Sequence, residues 1–286
     1  MRGPPVAVLA TIKPVHSLVA AVMQGVGTPA LLIRGAQSEH AYALKPSDAE
    51  RIRQANIVFE VGPDLETYLV RPLESLSHGK VVVLETAPGV HLLPARHGGL
   101  WEDASAGAGS PDAPTDPHVW LDPDNAIAMT RAVAAALAQA DPAHAALYRA
   151  NAARETASIA ALTRELQGQL APLERRPYLV FHDGYRYFER RFGLDAVGAV
   201  TVAPDRPIGP RRISILRERI AKGDIACVFR EPQFPPRLID TLTEGSAART
   251  GVLDPIGAGL DPGPGLYERL LRGLSNSLRA CLAKRH

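Results

Sequence analysis

The stretch Tyr178-Leu179-Val180-Phe181-His182-Asp183-Gly184-Tyr185 decides the fold. A short apolar run leads directly into a histidine, an aspartate and a glycine, a pattern typical of a buried strand that opens into a helix. In open parallel sheets, ligands bind in the crevice outside the carboxyl ends of the strands. The pattern therefore predicts an α/β fold in which His182 lies on a ligand-binding rim.

Similar apolar runs recur on both sides of this stretch and alternate with helix-like segments. The strand candidates are residues 6–12, 30–33, 57–61 and 81–84 in the first half, and 178–181, 196–202, 226–230 and 251–253 in the second. The intervening helices include residues 210–222 and 235–244, and Ser47 with Glu50 is expected to cap another. Alternation of this kind predicts two four-stranded parallel sheets, each covered by helices.

A long helix is expected between the two halves. Residues 141–171 are rich in alanine, leucine, glutamate and arginine, and Asp141 followed by Pro142 is typical of a helix start. About 28 helical residues would extend roughly 40 Å. We therefore predict two (β/α)4 lobes joined by one long rigid helix, with an N-terminal lobe at 1–140, the helix at 141–171 and a C-terminal lobe at 172–286. Residues 94–116 are predicted to form a mobile loop within the first lobe, because they are rich in glycine, alanine, serine and proline and lack periodicity.

Composition and charge exclude several classes of protein. The chain has 286 residues and a formal net charge of +2 without a basic stripe, so we expect no nucleic-acid partner. No apolar run approaches the roughly 20 residues that span a bilayer. The first ten residues read as a core strand and lack a charged leader, so we expect that a signal peptide has been removed.

Two further histidines occupy positions like that of His182. His40 follows the run at 30–33, and His118 lies in the segment Asp116-Pro117-His118-Val119-Trp120. Imidazoles from three separate segments suit zinc better than magnesium, calcium or manganese. Zinc needs a fourth ligand for tetrahedral coordination, and Glu39, Asp254 or a water can supply it.

The remaining histidines and the cysteines carry less information. Most of the other histidines are predicted to be surface residues; they are His16, His78, His91, His97, His144 and His286. Cys227 and Cys281 lack the close Cys or His neighbours of a structural zinc site. They are either two buried thiols or a disulfide, and a disulfide would imply an oxidising compartment.

The sequence resembles one family over nearly its whole length. Segments 38–48, 118–123, 180–185, 231–234 and 253–257 are similar, in order, to the high-affinity zinc-uptake solute-binding proteins of bacterial ABC transporters. The resemblance implies a monomeric periplasmic receptor that binds zinc in the cleft between two lobes and delivers it to membrane ABC permease subunits. It does not imply an enzyme.

The resemblance also implies roles for individual residues. His40, His118 and His182 match the three histidine ligands, and Glu39 matches an acidic neighbour that can be the fourth. Related manganese receptors carry a carboxylate in the third position, so His182 favours zinc, while Asp254 leaves another fourth ligand open. Cys227 and Cys281 match the disulfide of the family.

Other functions are considered because the sequence departs from the family at one loop and because the same ligands can serve other proteins. Zinc members of the family often carry a histidine-packed loop, whereas the matching stretch here holds only His91 and His97, so zinc scavenging by this loop is not expected. Rival functions are a manganese or other divalent-metal receptor of the same family, an adhesin with an incidental metal, and a zinc-dependent hydrolase with Glu39 as base. The hydrolase is disfavoured because the sequence has no His-Glu-x-x-His motif and no nucleophile elbow.

Overall fold

The computed structural model describes residues 6–35, 37–96, 114–173, 176–201, 204 and 208–283. In these residues the chain forms two four-stranded sheets with only parallel pairing. The first sheet has the order β2-β1-β3-β4, with β1 (Val8–Ala10), β2 (Ala30–Leu31), β3 (Ile57–Glu60) and β4 (Lys80–Val83). The second has the order β6-β5-β7-β8, with β5 (Tyr178–His182), β6 (Gly198–Thr201), β7 (Cys227–Arg230) and β8 (Arg249–Val252). Each predicted run contains residues of one of these strands, and the predicted fold class is confirmed.

Helices follow most of the strands. They are α1 (Lys13–Val22), α2 (Pro46–Gln54), α3 (Val70–Leu76), α4 (Pro123–Ala140), α5 (Ala145–Leu170), α6 (Arg186–Phe192), α7 (Pro210–Ala221), α8 (Arg237–Thr243) and α9 (Leu266–Leu282). The long helix is α5, whose 26 residues lie in sequence between the two sheets. It begins slightly later than predicted, because Pro142–His144 forms a separate 3-10 turn.

The start of α2 differs from the predicted capping. The helix begins at Pro46, and Asp48 returns the hydrogen bond by accepting from the backbone N–H of Lys45 at 2.9 Å. Glu50 lies on the exposed side and binds Arg53 and Gln54 instead. Proline favours the first helical position because it has no N–H to satisfy, and the cap is therefore Lys45, two residues before the predicted Ser47.

By its internal contacts the chain divides into two compact units. The first unit comprises Met1–Leu92, Val119–Arg164 and Ile256–Leu270, and the second comprises Leu93–His118, Glu165–Pro255 and Leu271–His286. The division falls inside α5 and inside α9, and it assigns residues 93–118 to the unit of the second sheet. The predicted boundaries at 1–140, 141–171 and 172–286 follow the chain without such exchanges and stay a prediction.

Each unit has its own apolar core on a parallel sheet. In the first unit the buried cluster contains Leu9, Leu32, Ile52, Ala55, Val58, Leu69 and Leu73. In the second it contains Leu179, Phe181, Val200, Leu216, Ile220, Ile225, Val228, Ile239 and Leu242. In β5, Leu179 and Phe181 belong to the cluster, and Val180 between them is also buried, as expected for a strand covered by helices on both sides.

The ends of the predicted loop at 94–116 are paired. Pro94 and Thr115 form an antiparallel bridge, and the backbone N–H of Asp116 donates to the carbonyl of Leu93 at 2.8 Å. Residues 97–113, which include His97, lie outside the described residues, as does His286. Within the described part of the chain, no helix has the length and apolar character that a bilayer crossing requires.

Buried carboxylates in the first unit give a testable pH dependence. Burial raises the pKa of Glu66 to about 8, and burial together with Glu85 raises that of Glu60 to about 7. An acid with a raised folded pKa stabilises the fold at low pH and loses that contribution as pH rises through the folded pKa. We therefore expect the free energy of unfolding of Glu66→Gln to fall less between pH 6 and pH 8.5 than that of the parent protein. The difference is about 1.4 kcal/mol for each pH unit up to the folded pKa.

Urea unfolding of the metal-free protein at both pH values measures this effect. Glutamine keeps an oxygen for the backbone N–H groups of Val61 and Gly62, which donate to Glu66 at 2.8 and 3.2 Å. The exposed Glu50→Gln variant is the control. An identical pH dependence in Glu66→Gln and the parent protein would contradict the assignment.

Candidate metal centre

His182 is the last residue of β5 and is 3% exposed. In the sheet order β6-β5-β7-β8, β6 lies on one side of β5 and β7 on the other, so the chain changes sides between β5 and β7. Such a topological switch point is where open α/β sheets bind ligands. The Nδ1 atom of His182 lies 2.7 and 2.8 Å from the carboxylate oxygens of Glu231, just beyond the end of β7. The predicted placement of His182 on the sheet rim is confirmed.

His118 belongs to the same unit and is 2% exposed. It directly precedes a buried 3-10 turn, Val119–Leu121. Its Nδ1 atom and its backbone nitrogen lie 2.8 and 3.0 Å from Oδ1 of Asp116. Burial, followed by nearby His182, holds the pKa of His118 well below its ordinary value of 6.5, so the ring is neutral at pH 7. Its contact with Asp116 is therefore a hydrogen bond and not an ion pair.

The two imidazoles face each other through their other nitrogens. Nε2 of His182 lies 3.1 Å from Nε2 of His118, and the ring centroids are 5.0 Å apart. Two nitrogen ligands at about 2.05 Å from a tetrahedral zinc ion lie about 3.3 Å apart. The spacing of the pair is therefore close to that of two ligands on one zinc ion.

A tyrosine of α6 fixes the segment that carries His118. The hydroxyl of Tyr187 donates to the carbonyl of Asp116 at 2.9 Å and accepts from the backbone N–H of Leu93 at 2.9 Å. Tyr187 is 1% exposed, so these bonds are shielded from water. The segment is thereby attached to the helix that follows β5.

An ion-pair network lies beside His182. The guanidinium of Arg96 binds Asp183 at 2.6 Å and Glu189 at 2.8 Å, and Glu189 also accepts from the hydroxyl of Tyr178 at 3.0 Å. Burial lowers the pKa of Arg96, but the two carboxylates outweigh it and raise the pKa above its ordinary value. Arg96 thus attaches the residues before the 97–113 stretch to the turn after β5.

Glu39 and His40 lie in the first unit, in a turn between β2 and α2. Glu39 is 2% exposed, and His40 is half-buried and donates its backbone N–H to Ser38 Oγ at 3.2 Å. Shortly after them, buried Tyr42 donates to Asp48 of α2 at 2.8 Å. This bond attaches the segment of Glu39 and His40 to a helix.

Asp254 and His16 differ from the two central histidines. Asp254 is half-buried after β8 and accepts from Nε2 of Gln233 at 3.1 Å. It does not belong to a group of potential metal ligands among the residues that the structure describes. His16 was expected at the surface but is 5% exposed in α1, where Nε2 lies 3.1 Å from the carbonyl of Pro29.

The roles of Asp116, Glu231 and Arg96 were not predicted from the sequence. The spacing of Asp116 and His118 is a usable signal, because a carboxylate two residues before a histidine can reach its ring. The partner of His182 had no local signal, since Glu231 lies 49 residues away.

Comparisons with known proteins agree with this fold. The family model "Zinc-uptake complex component A periplasmic" matches residues 8–281. The high-affinity zinc uptake system protein ZnuA of Brucella suis biovar 1 (strain 1330) is 44% identical, over 97% of this chain and 92% of that protein. A crystal structure of ZnuA superposes with a TM-score of 0.83 at 22% identity, covering 98% of this chain and 100% of that one. The periplasmic zinc binding protein TroA from Treponema pallidum has a TM-score of 0.83 at 21% identity, covering 99% and 100%.

Two parallel sheets covered by helices and linked in sequence by a long helix are the fold that this chain shares with the ZnuA and TroA structures. The family match places this fold in the class of transport receptors and not of enzymes. Within the class, the chain belongs to the family of periplasmic zinc-uptake components.

Proposed function

We propose that this protein captures zinc in the periplasm and delivers it to the membrane subunits of an ABC permease. The observation that carries the proposal is the buried pair His118 and His182, whose Nε2 atoms are spaced like two ligands of one zinc ion. Membership of the zinc-uptake family supports the same function. In this function zinc is cargo, and the protein does no chemistry on it.

We propose that His40 and Glu39 complete the site with His118 and His182. Each of these side chains offers one atom of a kind that zinc binds, an imidazole nitrogen or a carboxylate oxygen. Three nitrogens and one oxygen form a closed tetrahedral set that favours zinc over the oxygen-seeking magnesium, calcium and manganese. Asp254, or a water, is the alternative fourth ligand.

Thermal protection by zinc tests the ligand set. A ligand that binds only the folded state raises the melting temperature, by an amount that grows with its affinity. Zinc should protect the parent protein and the exposed-residue control His78→Ala equally, and should protect His40→Ala much less. Equal protection of His40→Ala would remove His40 from the site. Weaker protection of Glu39→Gln than of Asp254→Asn identifies Glu39 as the fourth ligand, and the reverse identifies Asp254.

Zinc affinity should depend on pH, because imidazoles bind the metal only when neutral. Protons compete with zinc for ordinary histidines near pH 6.5, whereas His118 has a lowered pKa and stays neutral further into acid. We expect a nearly constant dissociation constant above about pH 7.5 and a steep weakening below about pH 6. Titrations against a chelator of known pH dependence measure this, and a flat profile down to pH 5.5 would contradict coordination by histidines.

Delivery, location and oligomeric state complete the proposal. We expect a monomer, made with a signal peptide that is removed on export, that docks on its permease with zinc bound. Sedimentation of the purified protein tests the monomer. Growth of a deletion strain in zinc-depleted medium, with the gene supplied in full or with His182→Ala, tests delivery. Growth restored equally by both forms would argue against delivery through this site.

A further inference from the structure

His118 and His182 each contact a buried carboxylate that is not one of the proposed zinc ligands. Each points its Nδ1 atom at a buried carboxylate of its own: Glu231 for His182, at 2.7 Å, and Asp116 for His118, at 2.8 Å. Both carboxylates belong to residues that are 2% exposed. A buried carboxylate is costly to place, so its pairing with an imidazole calls for an explanation.

The surrounding hydrogen bonds indicate which group holds the proton. Oε1 of Glu231 also accepts from the hydroxyl of Tyr185 at 3.0 Å, and Oδ1 of Asp116 accepts from the backbone N–H of His118 at 3.0 Å. An ionised carboxylate has no proton to donate, and each of its oxygens can accept from more than one donor. An ionised carboxylate leaves the proton to Nδ1, and a ring in that tautomer presents a lone pair on Nε2.

The sheet itself sets the position of Glu231. In the pairing of β5 with β7, Tyr178 lies opposite Cys227 and Leu179 opposite Val228. Continuing this register by three residues brings His182 opposite Glu231. The carboxylate therefore reaches the ring from the adjacent strand end, and the hydroxyl of Tyr185 holds it there.

We propose that Glu231 and Asp116 are positioning residues that fix the Nδ1–H tautomer of His182 and His118, so that both Nε2 atoms are directed at zinc before it arrives. This inference deepens the proposed function and rests on it. The carboxylates also supply negative charge behind the rings, which increases the electron donation of the imidazoles to the metal. Loss of such an outer partner typically weakens metal binding by about 10- to 100-fold.

Imidazole ¹⁵N NMR of the metal-free protein tests the tautomers without zinc. In the parent protein, His182 and His118 should both show a protonated Nδ1 and an unprotonated Nε2. Glu231→Ala should give His182 a mixture of tautomers while His118 keeps its own, and Asp116→Asn provides the matching measurement at His118. Unchanged tautomers in Glu231→Ala would overturn the proposal.

Zinc titration of the Glu231 variants provides a second test. Glu231→Gln retains an oxygen that can accept from Nδ1 but loses the charge, so we expect zinc binding about 10-fold weaker, with Glu231→Ala weaker still. Glu218→Gln, on the exposed face of α7, is the matched control and should bind like the parent protein. Zinc binding within twofold of the parent in both Glu231 variants would overturn the positioning role. Failure of the parent itself to bind zinc would contradict the proposed function, while the tautomer spectra would still report on the carboxylates.

Discussion

Replacing His182 by alanine is expected to weaken zinc binding by about 10²- to 10³-fold. Closed four-ligand zinc sites bind with about 10–16 kcal/mol, so one ligand accounts for about 3–4 kcal/mol. The variant also leaves the carboxylate of Glu231 buried without its imidazole partner, which adds to the loss. Competition with a chromogenic chelator gives the dissociation constants of both proteins.

Two measurements separate ligand loss from unfolding. His78→Ala removes an exposed imidazole and should bind zinc like the parent protein. Urea unfolding of each metal-free protein shows how much of the fold survives. A folded His182→Ala variant that binds zinc within threefold of the parent would exclude His182 from the site.

Removing the disulfide is expected to cause a large loss in the free energy of unfolding. Cys227 in β7 and Cys281 in α9 are joined, and the bond closes a loop over a sequence separation of 54 residues in the second unit. On the chain-entropy estimate, a loop of this length stabilises the fold by about 4 kcal/mol. The Cys227→Ala, Cys281→Ala double variant should lose about that amount in the free energy of unfolding.

Urea unfolding of the oxidised parent protein and of the double variant measures the loss. The parent protein unfolded under reducing conditions is a further comparison, because it keeps both sulfur atoms in the core but lacks the cross-link. A double variant within 1 kcal/mol of the oxidised parent would mean that the cross-link adds little, through strain or residual structure in the unfolded chain.

Much of the fold could be predicted because its signals are local. Each strand of the two sheets lies in a short apolar run, and the composition of residues 141–171 indicated the long helix that the structure places at Ala145–Leu170. The details of helix starts were less predictable. Ser47 and Glu50 have the spacing of a capping box, but the proline at 46 and the carboxylate of Asp48 set the start instead.

The histidines of the site could be predicted because imidazole is a common metal ligand. The residues whose position depends on strand pairing could not be predicted. His182 was identified from its position after an apolar run and His118 from the segment at 116–120, and the structure brings their Nε2 atoms to 3.1 Å. The role of Glu231 depends on the pairing of β5 with β7, which no local pattern reveals. The segment of Arg96 and Asp116 read as part of a loop of the first lobe, yet its contacts place it in the unit of the second sheet.

Calorimetric titration of the metal-stripped protein, first with zinc and then with manganese, tests the central claim most directly. A site of neutral imidazoles with one carboxylate should bind one zinc ion tightly and manganese weakly, because nitrogen-rich sites disfavour manganese. Zinc bound one-to-one, and not displaced by excess manganese, is the predicted result. Preference for manganese, or no zinc binding, would contradict the assignment of this protein as a zinc receptor.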